Sequence, residues 1–303
     1  MKFQKEASYR LLLDKGELEE RVQQAYTLMK NCQLCPHLCR INRDQKKGIC
    51  SAGTTAMVSS YGPHFGEEAP LVGTNGSGTI FFAFCNMKCV FCQNYEISWG
   101  GEGELVSPHE LAEIMLHLQG QGCHNVNLVT PTHFVPQIVE AVFIAAKIGL
   151  NVPLVYNCGG YERIETLKVL DGIIDIYMPD AKYNNSEIAK MLSGVTEYPQ
   201  VIKLALKEMH RQVGDLQVDH RGIAIRGLII RHLVLPRGLA GTKDIMTFIA
   251  EEISPKTFVN IMKQYRPEYK AFEYEDINRP ISTKEFQEAL SFAEAAGLKS
   301  RKM

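Results

Sequence analysis

The sequence holds one tryptophan in 303 residues and a formal net charge of -1, so neither sign of charge dominates. The basic excess that binds nucleic acid through its phosphates is missing, and nucleic acid is not an expected partner. No apolar run approaches the about 20 residues needed to cross a bilayer. The opening residues, MKFQKEASYR, offer neither an apolar h-region nor a small-residue cleavage site. The expected location is therefore the cytoplasm, with no membrane partner. There is no repeat of short fixed period and no low-complexity tract, and the basic tail from Lys299 to Lys302 reads as a solvated terminus.

What is present is apolar mass and cysteine. A hydrophobic content of 45% over 303 residues can bury a large core, and fits one large unit with an N-terminal extension better than two equal domains. Cysteine occurs nine times, an odd number, and seven of the nine fall in two tight groups between residues 32 and 92. That pattern suits metal thiolates better than the disulfide framework of a secreted domain.

The periodicity alternates between strand and helix. Leu18, Val22, Ala25, Tyr26 and Met29 fall at helical spacing over residues 17–30. Residues 57–78, rich in glycine and proline, read as a turn-rich connector. Thr79 to Phe84 then forms a buried strand. Ser107, Pro108 and Glu110 open a helix with an N-cap, a proline at its first position and a capping-box glutamate. Further strands are predicted at residues 125–129, 153–156, 173–177, 228–234 and 258–262, with helices at 135–148, 163–170, 198–213 and 243–252 around them. The result is an α/β fold of about six parallel βα units, a partial (β/α)6 TIM-like barrel over residues 78–303 behind a cysteine-rich extension over 1–77. Ligand sites in such folds lie at the C-terminal strand ends.

Directly beyond the first of these strands, FFAFCNMKCVFCQN sets Cys85, Cys89 and Cys92 at C-x3-C-x2-C spacing. Thiolates are the usual ligands of a cubane iron-sulfur cluster, which has four iron corners. Three cysteines leave one iron open, and an open position marks a catalytic site rather than a structural one.

Here the sequence resembles the radical S-adenosylmethionine (SAM) superfamily, whose signature C-x3-C-x-aromatic-C is met with Phe91 as the aromatic. The resemblance implies a [4Fe-4S] cluster on Cys85, Cys89 and Cys92, with SAM chelating the fourth iron. From about residue 30 onward the chain looks most like the branch of pyruvate formate-lyase activating enzyme, in particular relatives with an extra N-terminal cysteine group. The segments GSGTIFF, FCQN, DIYMPDAK and IIRHLVLP carry that likeness. Carried over residue by residue, it places Asp180 and Lys182 near the SAM sulfonium or the substrate and Arg231 near the methionyl carboxylate, a cation suited to an anion.

Two departures weaken the substrate assignment. Where activating enzymes carry a Gly-Gly-Glu type segment after the second strand, this chain has Thr130, Pro131, Thr132 and His133; where a histidine follows the last strand, it has Met262, Lys263, Gln264 and Tyr265. Thr130 and Thr132 hydroxyls can still accept from the SAM ammonium. Phe91, Asn94 and Asn157 complete the expected cofactor contacts. Cys158 and His133 are the catalytic candidates, Cys158 being either a substrate-facing thiol and hydrogen donor or a passive small residue. Cys123 and His64 read as structural.

Cys32, Cys35, Cys39 and Cys50 follow C-x2-C-x3-C-x10-C, with Pro36 and Gly48 allowing tight turns. Four thiolates suit either zinc or an auxiliary iron-sulfur cluster. The resemblance further implies a flavodoxin or ferredoxin electron donor and reductive cleavage of SAM to a 5'-deoxyadenosyl radical that abstracts hydrogen. The target would be a glycyl radical enzyme to be activated, or else a small molecule or other substrate. A non-enzymatic iron-sulfur scaffold or electron-transfer protein is the remaining alternative.

Overall fold

Local sequence signals set most element boundaries in the computed structural model, which describes residues 6–298. The chain opens with helices α1 (Ser8–Asp14) and α2 (Glu17–Lys30), then strand β1 (Ala56–His64), the short helix α3 (Ala69–Val72) and strand β2 (Ser77–Phe82). A single turn, α4 (Tyr95–Ser98), and strand β3 (Glu104–Val106) lead to helix α5 (Pro108–Gly120). There Ser107 Oγ accepts from Glu110 N–H at 3.2 Å while the Glu110 carboxylate accepts from Ser107 N–H at 2.7 Å, the reciprocal capping expected of that sequence.

Strand β4 (Val126–Val129), helix α6 (Val135–Lys147), strand β5 (Leu154–Cys158), helix α7 (Ile164–Val169) and strand β6 (Ile176–Pro179) continue the alternation. After it come α8 (Ser186–Ser193), α9 (Tyr198–Val213), β7 (Gln217–Val218), β8 (Ala224–Leu233), α10 (Thr242–Phe248), β9 (Phe258–Met262) and α11 (Thr283–Ala295). All six predicted strands are present. The strand order is β3-β1-β2-β4-β5-β6-β8-β7, with β9 paired to β8. Strands β2, β4, β5, β6, β8 and β9 run parallel. The fold is thus mixed α/β with one many-stranded sheet, in keeping with a TIM-like arrangement. Every residue of β5 and β6 is buried, as a sheet covered on both faces requires.

Residues 57–78 differ from expectation. Its first part, through His64, is β1, antiparallel to β2 and opposite it through Gly62↔Thr79 and Pro63↔Gly78. Proline is tolerated because β3 pairs only with Ala56–Val58, leaving the outer side of Pro63 without a ladder to feed. Helices α1, α8 and α11 are further additions to the predicted set, and the basic tail from Lys299 lies outside the described residues. Among the described residues no helix is long and apolar enough to cross a membrane.

The extension is stitched to the end of the sheet opposite the strand C-termini. Asp175, just before β6, accepts from Ser8 N–H at 2.9 Å, Ser8 Oγ at 2.7 Å and Leu154 N–H at 3.1 Å. Tyr9 OH donates to Val152 O at 2.9 Å. Helix α1 therefore covers the N-terminal ends of β5 and β6. Changing Asp175 to Ala strands three donors, each buried unmet donor costing about 1–3 kcal/mol. The expected result is a loss of at least about 2 kcal/mol in urea unfolding, with faster amide exchange at Ser8 and Leu154.

Candidate active site

The C-terminal ends of β2, β4, β5, β6 and β8 converge on a cavity of about 160 Å³. It is lined by Cys85, Cys89 and Cys92 from the loop after β2, by Asn94 and Thr130, by Asn157 and Cys158 at the end of β5, and by Asp180, Lys182 and Arg231. The residues expected to meet at the strand ends do so, with three exceptions described below.

Each sulfur of the loop has a donor nearby. Met87 N–H stands 3.3 Å from Cys85 Sγ, Ser193 Oγ 3.0 Å from Cys89 Sγ, and Ser98 Oγ 3.1 Å from Cys92 Sγ. Tyr183 OH lies 2.8 Å from Ser193 Oγ and holds it in place. Burial, with repulsion from Cys89 second, pushes the Cys85 thiol up to about 12; burial also raises Cys92, against the pull of Ser98. A metal reverses this by deprotonating the thiols outright. The backbone is unusual here too: Phe84 and Lys88, each preceding a cysteine, take left-handed φ values of 69° and 49°, a strain that persists where the surroundings fix it. Three thiols on one loop, donors to each sulfur and an adjoining cavity fit a cluster with one open iron. Among the described residues no three His, Cys, Asp or Glu side chains are gathered closely enough to hold a single metal ion.

Opposite the cysteines lies an ionic group. Asp180 accepts from Lys182 Nζ at 2.6 Å and Arg231 Nε at 2.8 Å. Arg231 Nη2 also donates to Asn157 Oδ1 at 2.7 Å, while Nη1 is 3.9 Å from Glu67. The Asp180, Lys182 and Arg231 side chains are only 16%, 16% and 19% exposed, so the pairs are shielded from water. Burial raises the Asp180 carboxyl, but Arg231 and then Lys182 outweigh it and hold it below the ordinary range. Tyr198 locks the backbone beneath: its hydroxyl accepts from Lys182 N–H at 3.0 Å and sits 2.6 Å from Asp180 O and 2.9 Å from Gly159 O. The bare Gly159 lets β5 come this close, since a Cβ there would stand 2.7 Å from Met87 Sδ.

Three expected contacts fall elsewhere. Phe91 is buried behind the loop, edge-on to Tyr265 and Tyr183, and supports the cysteines rather than lining the cavity. Thr132 is fully buried and donates to Glu162 Oε1 at 2.7 Å. His133 sits with Nε2 2.8 Å from Ala83 O, and burial lowers it to about 3, leaving a neutral packing group. Thr130 does line the cavity, with φ of 59° and its N–H donating to Asn157 O at 2.8 Å.

Sequence reasoning missed Glu162. It is 2% exposed, accepts from Thr132 and, at 3.0 Å, from Tyr156 OH, and is paired by hydrogen bond with the Cys158 thiol. Only its position just after Gly159 and Gly160, at a strand end, hinted at it. No cation compensates it, so burial raises its carboxyl from 4.5 to about 7, against the three hydrogen bonds.

A profile of the radical SAM superfamily matches residues 79–215. Two relatives from Methanocaldococcus jannaschii align over nearly the whole chain. The uncharacterized protein MJ0674 is 36% identical over 291 residues, covering 93% of this chain and 79% of that one. The uncharacterized protein MJ0808 is 25% identical over 289 residues, covering 88% and 79%. The strand-end cavity beside a C-x3-C-x2-C loop is where that superfamily's profile begins its match, and the chain belongs to the radical SAM superfamily. Membership makes it an enzyme of SAM-dependent radical chemistry and implies a [4Fe-4S] cluster and SAM as its cofactors.

Glu162 gives a pH test. Its folded pKa lies above its unfolded value, so its contribution to stability is complete below pH 4.5 and is lost as pH rises through about 7. Glu162→Gln removes that titration. The gap between wild-type and variant unfolding curves should shift by on the order of 3 kcal/mol across the window; parallel curves would show an ordinary carboxyl.

Proposed function

We propose that Cys85, Cys89 and Cys92 bind the [4Fe-4S] cluster and that Asn157, Asp180, Lys182 and Arg231, with Thr130 and Asn94, bind SAM beside it. One observation carries this reading: the three thiols and the Asp180–Lys182–Arg231 group line one cavity, although they come from separate βα units. The bound cluster supplies the low-potential electron that cleaves SAM reductively.

The chain's own residues supply position and exclusion of water. Arg231 is held by Asp180 through Nε and by Asn157 through Nη2, which aims the remaining edge of the guanidinium at an anionic group such as the methionyl carboxylate. Lys182, which burial lowers but Asp180 and Cys89 raise further, stays protonated. Lys182 and Arg231 face Asp180 and, through Arg231 Nη1, Glu67 at 3.9 Å, so what the group offers a ligand is direction rather than surplus charge. Burial of the whole assembly strengthens these fixed charges and keeps water from reactive species.

The substrate is presented from outside. A cavity of about 160 Å³, below the roughly 300–1,000 Å³ usual for small-molecule sites, must already widen to take the cluster and SAM, so the substrate is assigned to the surface beside it. A groove of about 640 Å³ runs between the end of β9 and α11, past Lys263, Gln264 and Phe286. Gln93, next to Cys92, donates to Gln264 O at 3.2 Å and links loop and groove. This supports a chain segment of a protein partner as substrate, with activation of a glycyl radical enzyme the leading case. Lys270 and Lys88 lie 4.9 Å and 5.6 Å over the Trp99 ring, and Trp99 Nε1 donates to Cys89 O at 3.1 Å. Cations so close to the loop suit an acidic flavodoxin or ferredoxin as donor.

Anaerobic reconstitution followed by dithionite reduction should yield 5'-deoxyadenosine from SAM with wild type and none with Cys89→Ala. An intact, reducible cluster that never cleaves SAM, with a partner present, would sink the reading. Arg231→Met should weaken SAM binding by about tenfold or more, the loss of a charged hydrogen bond, measured by titration calorimetry on the reconstituted protein.

A further inference from the structure

We propose that Cys32, Cys35, Cys39 and Cys50 hold an auxiliary iron-sulfur cluster, too widely spaced for a single ion, with the buried guanidinium of Arg43 as its counter-charge. The proposal is independent of what the cavity at the strand ends binds.

The four cysteines are folded onto one another. Cys32 N–H donates to Ile41 O at 2.9 Å, Arg40 N–H to Cys32 O at 2.9 Å and Leu38 N–H to Cys35 O at 3.1 Å, which makes a tight double-backed loop. Cys32, Cys35 and Cys50 are buried. Gly48 is held so close that a Cβ there would stand 3.1 Å from Cys39 Sγ.

The backbone carries the same mark as the first cysteine loop. Leu38 and Arg40, on either side of Cys39, have φ of 44° and 49°, and Ser51, after Cys50, has 68°. Together with Phe84 and Lys88 these are five of the eight non-glycine residues with positive φ among the described residues, so the strain concentrates beside clustered cysteines, as it does at ligand-holding loops.

Arg43 supplies the charge argument. It is 4% exposed, and Nη1 donates to His133 O at 2.6 Å, yet Nε and Nη2 have no hydrogen-bond partner among the described residues, and the guanidinium otherwise meets the Phe134 ring at 5.9 Å. It stands between Cys39 and Cys50 in the same double-backed segment. A buried cation with two unmet N–H groups is costly beside neutral thiols. Beside four thiolates on an iron-sulfur cluster it faces a dianion and is matched.

The centre also braces the first loop. His37 Nε2 stands 2.7 Å from Asn86 O, and Lys88 Nζ donates to Ser51 Oγ at 2.7 Å. Residues between and beside the four cysteines thus hold the segment between Cys85 and Cys89.

The test uses the full chain purified without oxygen, with Cys85, Cys89 and Cys92 all changed to Ala so that remaining metal reports the N-terminal group. Zinc near one equivalent per chain would overturn the proposal, whereas iron with matching acid-labile sulfide identifies a cluster and supports it. Adding Arg43→Met should speed loss of that metal to a competing chelator by about tenfold or more, and adding Cys35→Ser should abolish retention. If Cys35→Ser fails to fold, alkylation of the folded triple variant takes its place, the four thiols reacting only after chelation. A folded triple variant without iron and sulfide above background would overturn the proposal, as would an Arg43→Met protein that keeps its metal as firmly as its parent.

Discussion

Asp180 is the point on which the site is hung. Its carboxylate lies between Lys182 and Arg231, and the strands on either side are joined around it. Ala181 N–H donates to Arg231 O at 2.8 Å, and Asp180 N–H to Cys158 O at 2.9 Å. Breaking a buried pair by removing one partner costs about 3–5 kcal/mol. Two cations would then face each other in the cavity wall, so the carboxylate decides both where Arg231 points and whether β6 and β8 can end side by side. Everything assigned to the cavity depends on that arrangement.

Much of the fold was legible because parallel strands buried on both faces are short, almost wholly apolar runs, and because Ser107 and Glu110 announce a helix start chemically. The sequence misled where composition and position disagree. Gly62 and Pro63 look like a turn, but they occupy a strand whose outer side is unpaired at that point. The three loop cysteines and Asn157 were legible as strand-end residues, whereas Asp180 and Arg231 came only from the family resemblance. Thr132 and His133 were not separable from Thr130, because the chain turns through a left-handed residue there and carries the next two side chains into the core. Ser193 and Tyr198 reach the site from later helices, Ser193 lying 104 residues from Cys89, and no local pattern announces such meetings.

The two cysteine groups differ in what surrounds them. The first loop opens on a cavity and faces mobile-length side chains that can rearrange about a ligand, Lys182 and Arg231. Of the four N-terminal cysteines Cys32, Cys35 and Cys50 are buried and Cys39 partly so, and Arg43 in the same segment is buried too. On the proposals made above, the first environment suits exchange and the second permanence, which is the distinction between open and closed metal sites.

Helix α1 has a consequence beyond its own stability. With Ser8 fastened to Asp175 and Tyr9 to Val152, it caps the N-terminal ends of β5 and β6, so the strand-end cavity meets solvent on the opposite side. On the proposed function, an electron donor and a target would both approach that rim. A target seated there would itself be the lid, and its departure the moment at which the interior next meets solvent.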